Sequence, residues 1–328
     1  MRNRLPLGLL AVAFACSLFA APAQAQRART FVASYGNDSN PCTFLSPCRT
    51  FQQAVNVVAD GGEVTAIDSA GFGPVSITQS VTITSPDGVE AGIVATPGSN
   101  AVIIEGPTTI EVVLRGLTID GSSGGNNGIV YLSAGSLTVT NCVIKNFAAA
   151  APNFFGNGIL FLPEPLTGTP VNFVITNTIV ANNGLVGIYY TPQEVATNTK
   201  GVIDHVTATG NANTGIAIDN SLSTGGTTSV TITNSVVSNN ETGIYADNLT
   251  GGNNWVAIDN STVSGNSNYG VDARRTAKVT LGRTLVTGNG NGVLNNTSGN
   301  TLYTYGNNQI ELNFVDEPNA LNTSFTPR

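Results

Sequence analysis

The chain has 328 residues, of which 41% are hydrophobic and only 10% charged, with 20 acidic against 13 basic side chains and a formal net charge of −7. Lys and Arg are scattered rather than clustered, which argues against nucleic acid as a partner, because binding phosphate requires grouped cations. With one histidine in the whole chain, any histidine-dependent triad would have to use His205, and no serine or cysteine context supports one.

In chain order, residues 1–25 read as a secretory signal. Arg2 and Arg4 form the charged start, Leu7 to Ala21 the apolar middle, and Ala23-Gln24-Ala25 the cleavage site. The apolar run is too short for a membrane helix, and no later segment approaches one. Ala13-Phe14-Ala15-Cys16 loosely resembles a lipobox, an alternative end for the same segment. The expected location is secreted or periplasmic, with attachment to the cell surface left open. Removing the signal leaves 11 basic against 20 acidic residues, a balance of −9.

Residues 26–60 are expected to form a first strand, a cysteine loop and a capping helix. Thr30 to Ala33 is the predicted strand, and Gly36 to Pro41 is rich in turn formers. Cys42 and Cys48 follow. An exported chain meets an oxidising compartment, so a Cys42–Cys48 disulfide is expected, whereas two cysteines with no histidine nearby make a poor zinc site. Thr50 and Gln53 have the spacing of a capping box. Phe51, Ala54, Val55 and Val58 lie on one helical face, and Gly61-Gly62 is the predicted stop. The exposed end of a solenoid needs a cover, and this amphipathic helix is the candidate.

Residues 61–313 are repetitive. Strands are predicted near Glu63–Ile67, Val75–Ile77, Val81–Ile83 and Val102–Ile104, and regular units follow from Gly116. The glycine of an "x-G-I" step recurs at Gly128, Gly158, Gly187, Gly215, Gly243, Gly270 and Gly292, at intervals of 30, 29, 28, 28, 27 and 22 residues. A second anchor keeps step at Gly116, Asn141, Asn177, His205, Asn234, Asn260, Arg283 and Asn308. Around it apolar and polar residues alternate, as in Val230-Thr231-Ile232-Thr233, which is the period of a strand. Three short strands and their turns account for each unit, and stacked units lie about 4.8 Å apart. Asn suits the bend because it tolerates left-handed backbone. Cys142 aligns with an inward column (Leu117, Thr178, Val206, Ser235, Ser261) and is expected to be a buried, inert thiol. The tail, 314–328, loses the repeat and is expected to lie over the last coil.

The asparagine column resembles the asparagine ladder of the pectin/pectate-lyase-like superfamily. This implies an all-β, right-handed parallel β-helix over roughly Gly61 to Asn313. The G-N-D-x-N-P-C-T and P-C-R-T-F steps near residues 36–51, with Tyr305-Gly306-Asn307-Asn308 near the end, resemble secreted bacterial β-helix-repeat proteins, a branch with no agreed activity to carry over. Val202-Ile203-Asp204-His205 resembles part of a pectate lyase motif, but Val202 stands where that motif has tryptophan. The lyases' arginine-and-proline motif and the polygalacturonase signatures are missing. The resemblance therefore implies a scaffold and no catalytic residue, and His205 reads as a substitute for the bend asparagine.

One constellation could carry chemistry. If the isoleucine of each x-G-I step points inward, the next residue points outward, which gives Tyr189, Ala217, Tyr245 and Asp272. Two residues on, the outward column is Thr191, Asp219, Asp247 and Arg274. Asp219 and Asp247 then sit on adjacent coils, where two carboxylates cannot both ionise freely unless a cation compensates. In β-helix lyases this face holds the polysaccharide. The expected partner is accordingly a polysaccharide or cell-surface glycan, bound by Tyr189, Tyr245 and Asp272. If the protein is a lyase or glycoside hydrolase, Asp219 and Asp247 would be its acid and its base or nucleophile, and Arg274 would steady an anionic sugar. No cofactor or metal-ligating set is assigned, though calcium stays open as a partner of the carboxylates. The competing reading is a non-catalytic surface or periplasmic scaffold or adhesin whose Asp-Asp-Arg column only balances charge. A monomer is expected.

Overall fold

The computed structural model describes residues 27–133, 135–149, 155–163, 170–193, 198–249, 251–296, 302–316 and 321–323. The signal segment with its lipobox-like step lies outside the described residues, as do residues 164–169 and 194–197 and most of the C-terminal tail.

Three parallel sheets of twelve, nine and ten strands wrap one core, and each collects every third strand of the chain, with exceptions only at the ends. The fold is an all-β right-handed parallel β-helix preceded by a short helix. Residues one coil apart become cross-strand partners, so the repeat stacks like on like. In the twelve-stranded sheet Val139, Ile175, Ile203, Ile232, Ile258 and Leu281 form one continuous inward column. In the nine-stranded sheet Ile129, Ile159, Ile188, Ile216, Ile244, Val271 and Val293 form another. All of them are buried. Burying each such side chain contributes about 1.5–3 kcal/mol, and a register slip of one residue would turn the whole column outward.

The x-G-I glycines have a steric cause. A Cβ on Gly187, Gly243 or Gly270 would come within 3.0 Å of the carbonyl oxygen of the same glycine on the next coil. Backbone and backbone meet there, so a side chain has no room.

The bend column behaves as its residue types require. Gly116, Asn141, Asn177, His205, Asn234, Asn260 and Arg283 all have positive φ, between 44° and 72°. Asn308 does not belong to it. The side-chain oxygen of Asn307 receives the Arg283 N–H and that of Asn308 the Thr284 N–H, so Asn308 falls one position further along, in the column of Cys142, and the left-handed residue at that bend is Gly306.

The asparagine ladder is also displaced. Most bend asparagines are exposed, and the hydrogen bond from Asn260 Nδ2 to Asn234 Oδ1 (2.6 Å) links just two of them. The buried ladder runs along the next bend, between the ten- and nine-stranded sheets. There Asn183, Asn211, Asn240, Asn266 and Asn289 each pass an Nδ2–H to the Oδ1 of the next, the last of them to Asn313, at 2.8–3.1 Å. Each ladder residue from Asn183 to Asn313 follows a left-handed one (Asn182, Gly210, Asn239, Gly265, Gly288 or Leu312). The left-handed residue turns the chain, and the asparagine after it points inward, where only another amide can satisfy it.

At the N-terminal end, helix α1 (Phe51–Val57) begins at Thr50, whose hydroxyl accepts from the Gln53 N–H at 3.2 Å. It stops earlier than predicted. Val58 is already extended and opens the strand Val58–Ala66, so Gly61 and Gly62 lie within a strand rather than at a helix cap. Phe51, Ala54 and Val55 bury the helix against the first coil, with the Phe51 and Phe72 rings 5.0 Å apart. Cys42 and Cys48 are disulfide-bonded, with Cα atoms 4.6 Å apart. Cys142 is a buried thiol whose pKa burial pushes up to about 11. Part of the tail extends the sheets: Asn322–Thr323 pairs with the strand Leu302–Thr304, and Val315 bridges to Asn291.

Candidate functional site

The outward face of the nine-stranded sheet holds an open cleft of about 380 Å³, lined by Tyr189, Ala217, Asp219, Tyr245, Asp272 and Arg274 among others. The alternation that buries Ile188, Ile216, Ile244 and Val271 presents the next residue of each strand to this face. Register places Tyr189, Ala217, Tyr245 and Asp272 in one line and Asp219, Asp247 and Arg274 in a second line beside it. The sequence-derived columns are therefore cross-strand neighbours.

Depth within the face is not what alternation alone implies. Asp247 has no exposed surface, and Asp272 is 1% exposed. Asp247 Oδ2 accepts from the Tyr245 hydroxyl at 2.7 Å and pairs with Arg275 Nη2 at 3.1 Å. Asp272 Oδ2 takes two bonds from Arg274, from Nη2 at 2.7 Å and Nε at 2.9 Å. The Arg274 guanidinium also stands over the Tyr245 ring, 5.2 Å from its centroid. The second oxygens, Asp247 Oδ1 and Asp272 Oδ1, are buried with no protein hydrogen bond. Asp219 remains at the cleft surface, its Oδ1 accepting from the Ser221 N–H at 2.8 Å and its Oδ2 3.4 Å from the Tyr189 hydroxyl.

These surroundings set the ionisation of the face. Burial raises the pKa of Asp272, and the negative charge of Asp247 adds to the rise, against the opposing pull of Arg274. Burial, followed by the charge of Asp219, pushes the Tyr189 phenol up to about 12. Tyr245 is raised for the same reasons, by burial first and then by its bond to Asp247. Both phenols are neutral donors and apolar faces at ordinary pH. Neither ring stands free of the wall: each is partly buried, with its hydroxyl directed at a carboxylate.

Arg275 was not singled out from the sequence. By alternation it follows Asn220 and Asn248 in an inward column, but its φ of 56° turns the backbone and brings its guanidinium to Asp247. The Arg274-Arg275 pair is visible in the sequence, yet nothing there says which arginine takes which carboxylate. Thr191, placed in the outer column, is buried. His205 is far from this face in register, in the bend after the twelve-stranded sheet, with Nδ1 2.7 Å from Asp204 Oδ2. Among the described residues no group of three or more His, Cys, Asp or Glu side chains could hold a metal ion, and no helix is long and apolar enough to cross a membrane.

The sequence model of the right-handed β-helix region matches residues 91–315, more than half of the chain. The chain belongs to the right-handed β-helix family. No curated protein matches it in sequence. Among solved structures, this β-helix is similar to a pectate lyase, with 15% identity and a TM-score of 0.63 over 84% of this chain and 74% of the lyase. It also matches a family 136 lacto-N-biosidase from Eubacterium ramulus, with 12% identity and a TM-score of 0.45 over 88% and 66% of the two chains. A tailspike protein of an Escherichia coli bacteriophage matches with 12% identity and a TM-score of 0.48 over 85% of this chain and 42% of the tailspike. At these identities the likeness to the lyase is one of fold.

Proposed function

We propose that the cleft on the nine-stranded sheet binds a neutral glycan. The observation that carries this reading is the convergence of two neutral tyrosine rings with the partly exposed Asp219 carboxylate in one cleft of about 380 Å³. Saccharides offer apolar ring faces and many hydroxyl donors, which match the tyrosine rings and the Asp219 carboxylate respectively.

The charge of the cleft argues for a neutral ligand. Asp219, Glu241 and Asp272 line it and Asp247 lies in its wall, against Arg274 and Arg275. Four carboxylates face two guanidinium groups. Arg274 is already paired with Asp272. An acidic sugar would meet net repulsion, unlike the pectate that gives the structurally similar lyase its name.

Binding, rather than cleavage, is the function these positions support. An acid or base must reach the glycosidic oxygen or a water beside it. Asp219 lies at the cleft surface, but Asp247 has no exposed surface and both of its bonds are to Tyr245 and Arg275. In this reading Asp247 holds Tyr245 in place and Asp219 contacts the ligand.

Calorimetry against a panel of neutral and acidic oligosaccharides tests the proposal. A neutral oligosaccharide binds, and Tyr245→Ala weakens it by roughly tenfold, the worth of one aromatic contact of about 1–1.5 kcal/mol. Binding of acidic oligosaccharides alone, or binding indifferent to both Tyr245→Ala and Asp219→Ala, overturns it.

A further inference from the structure

The outer face of the twelve-stranded sheet carries a second group of residues that the cleft does not use. The chain's single tryptophan, Trp255, stands there with 45% of its surface exposed. On its strand Asn253, Trp255 and Ala257 face out, and Asn254, Val256 and Ile258 face in. Register stacks Lys200, Ser229, Trp255 and Lys278 in one outward column on four successive strands. A shallow hollow of about 170 Å³ adjoins the ring, walled in part by Thr231, Lys278, Thr280 and Tyr303.

The lysines make the column unusual. The chain has three: Lys145 lies 3.7 Å from Asp120, whereas Lys200 and Lys278 make no ion pair among the described residues. In a chain of net charge −7, the two lysines without a described carboxylate partner flank the only tryptophan. Lys278 is one strand spacing from it, about 4.8 Å, and Lys200 two spacings on the other side, about 10 Å. An indole face takes the apolar side of a pyranose ring, and a lysine on its flexible stem reaches a carboxylate beside that ring. Two cations without an arginine cluster are too few for a nucleic acid backbone.

We propose that the Trp255 face binds an acidic polysaccharide, with a sugar stacked on the indole and carboxylates of neighbouring sugars at Lys200 and Lys278. The lysines are three strand spacings apart, about 14 Å, so the ligand runs along the axis of the solenoid. This face opposes the cleft in charge and selects a different ligand, so neither proposal rests on the other.

Because Trp255 is the only tryptophan, its emission reports on this face alone. The test titrates the full protein with polygalacturonate at low ionic strength and follows the emission maximum and acrylamide quenching. The expected result is a blue shift with reduced quenching, reversed by high salt and unchanged in Tyr245→Ala. Lys200→Gln and Lys278→Gln each weaken binding roughly two- to fivefold, as befits one exposed ionic contact. Trp255→Ala is read by calorimetry, with circular dichroism confirming the fold, and loses at least about tenfold, on the scale of a sugar-stacking aromatic. The proposal is overturned if polygalacturonate, alginate and heparin all leave the emission unchanged, or if neutral dextran reproduces the change. An emission shift with protein concentration in the absence of polysaccharide also overturns it, since the face would then be a contact between copies of this chain.

Discussion

Asn240→Ala isolates the buried asparagine ladder. The Asn240 side chain is 4% exposed and takes part in four hydrogen bonds. Its Oδ1 accepts from the Asn211 N–H at 2.9 Å and Asn211 Nδ2 at 3.0 Å, and its Nδ2 donates to Asn266 Oδ1 at 3.1 Å and the Ala208 carbonyl at 3.2 Å. Alanine removes all four and leaves the buried Asn211 N–H without that acceptor. At about 1 kcal/mol for each of three bonds, and about 1–3 kcal/mol for the one that strands the buried Asn211 N–H, the loss should be about 4–6 kcal/mol. Asn260→Ala is the control. Asn260 has the same residue type and a left-handed backbone (φ 47°) but is exposed, so its loss is one surface bond and the left-handed penalty of an alanine, about 1–2 kcal/mol. Thermal denaturation followed by circular dichroism reads both. At roughly 2 °C per kcal/mol for a chain of this size, Asn240→Ala lowers Tm by about 8–12 °C and Asn260→Ala by about 2–4 °C. Equal shifts, or a larger one for Asn260→Ala, would show that the ladder's bonds do not hold the coils together.

Three further outcomes follow from the site and the cap. Because the native pKa of Asp272 is raised, the native state binds its proton more tightly than the unfolded chain, and stability linked to Asp272 is full below the unfolded value near 3.9 and lost as pH rises through the native value. Urea unfolding of Asp272→Asn across this range should show less decline with rising pH, and a parent-like slope would refute that reading. Asp204 is the opposite case. Hydrogen bonds, first from His205 and then from Thr233 and Asn234, hold its pKa at about 2, so its contribution is present above the unfolded value near 3.9 and fades as pH falls towards 2; Asp204→Asn should flatten the acid limb of the same profile. Reducing the Cys42–Cys48 bond, whose partners are six residues apart, should cost about 2 kcal/mol by loop entropy, seen as a lower Tm with dithiothreitol and none in Cys48→Ser.

Much of the architecture was legible because two constraints recur together. Alternation set the strand faces and the unit length set their partners, so the predicted strands Val75–Ile77 and Val102–Ile104 match those observed, and Asp219, Asp247 and Arg274 are neighbours as inferred. The ladder was misplaced because two bends per coil both use asparagine. Nothing in a lone Asn distinguishes an exposed residue at positive φ from the buried residue that follows one. The signal was the pair, as in Asn182-Asn183, Gly210-Asn211 or Asn239-Asn240, where the first residue turns and the second points in. The helix was overrun for a similar reason: Val58 fits an apolar helical face and an inward strand position equally well, and the strand's pairing decided between them.

By itself the sequence determined the winding, the inward columns and the vertical order of the outward residues. A pattern repeated at nearly constant length has one arrangement that buries every apolar position and pairs every strand. Depth and charge partnership were decided only in three dimensions. Asp247 and Asp272 stand on outward positions yet are buried, and Arg275 leaves an inward position to reach Asp247. Whether an outward side chain meets water depends on the bulk and the backbone rotation of neighbours one coil away, and no periodicity within the chain encodes either.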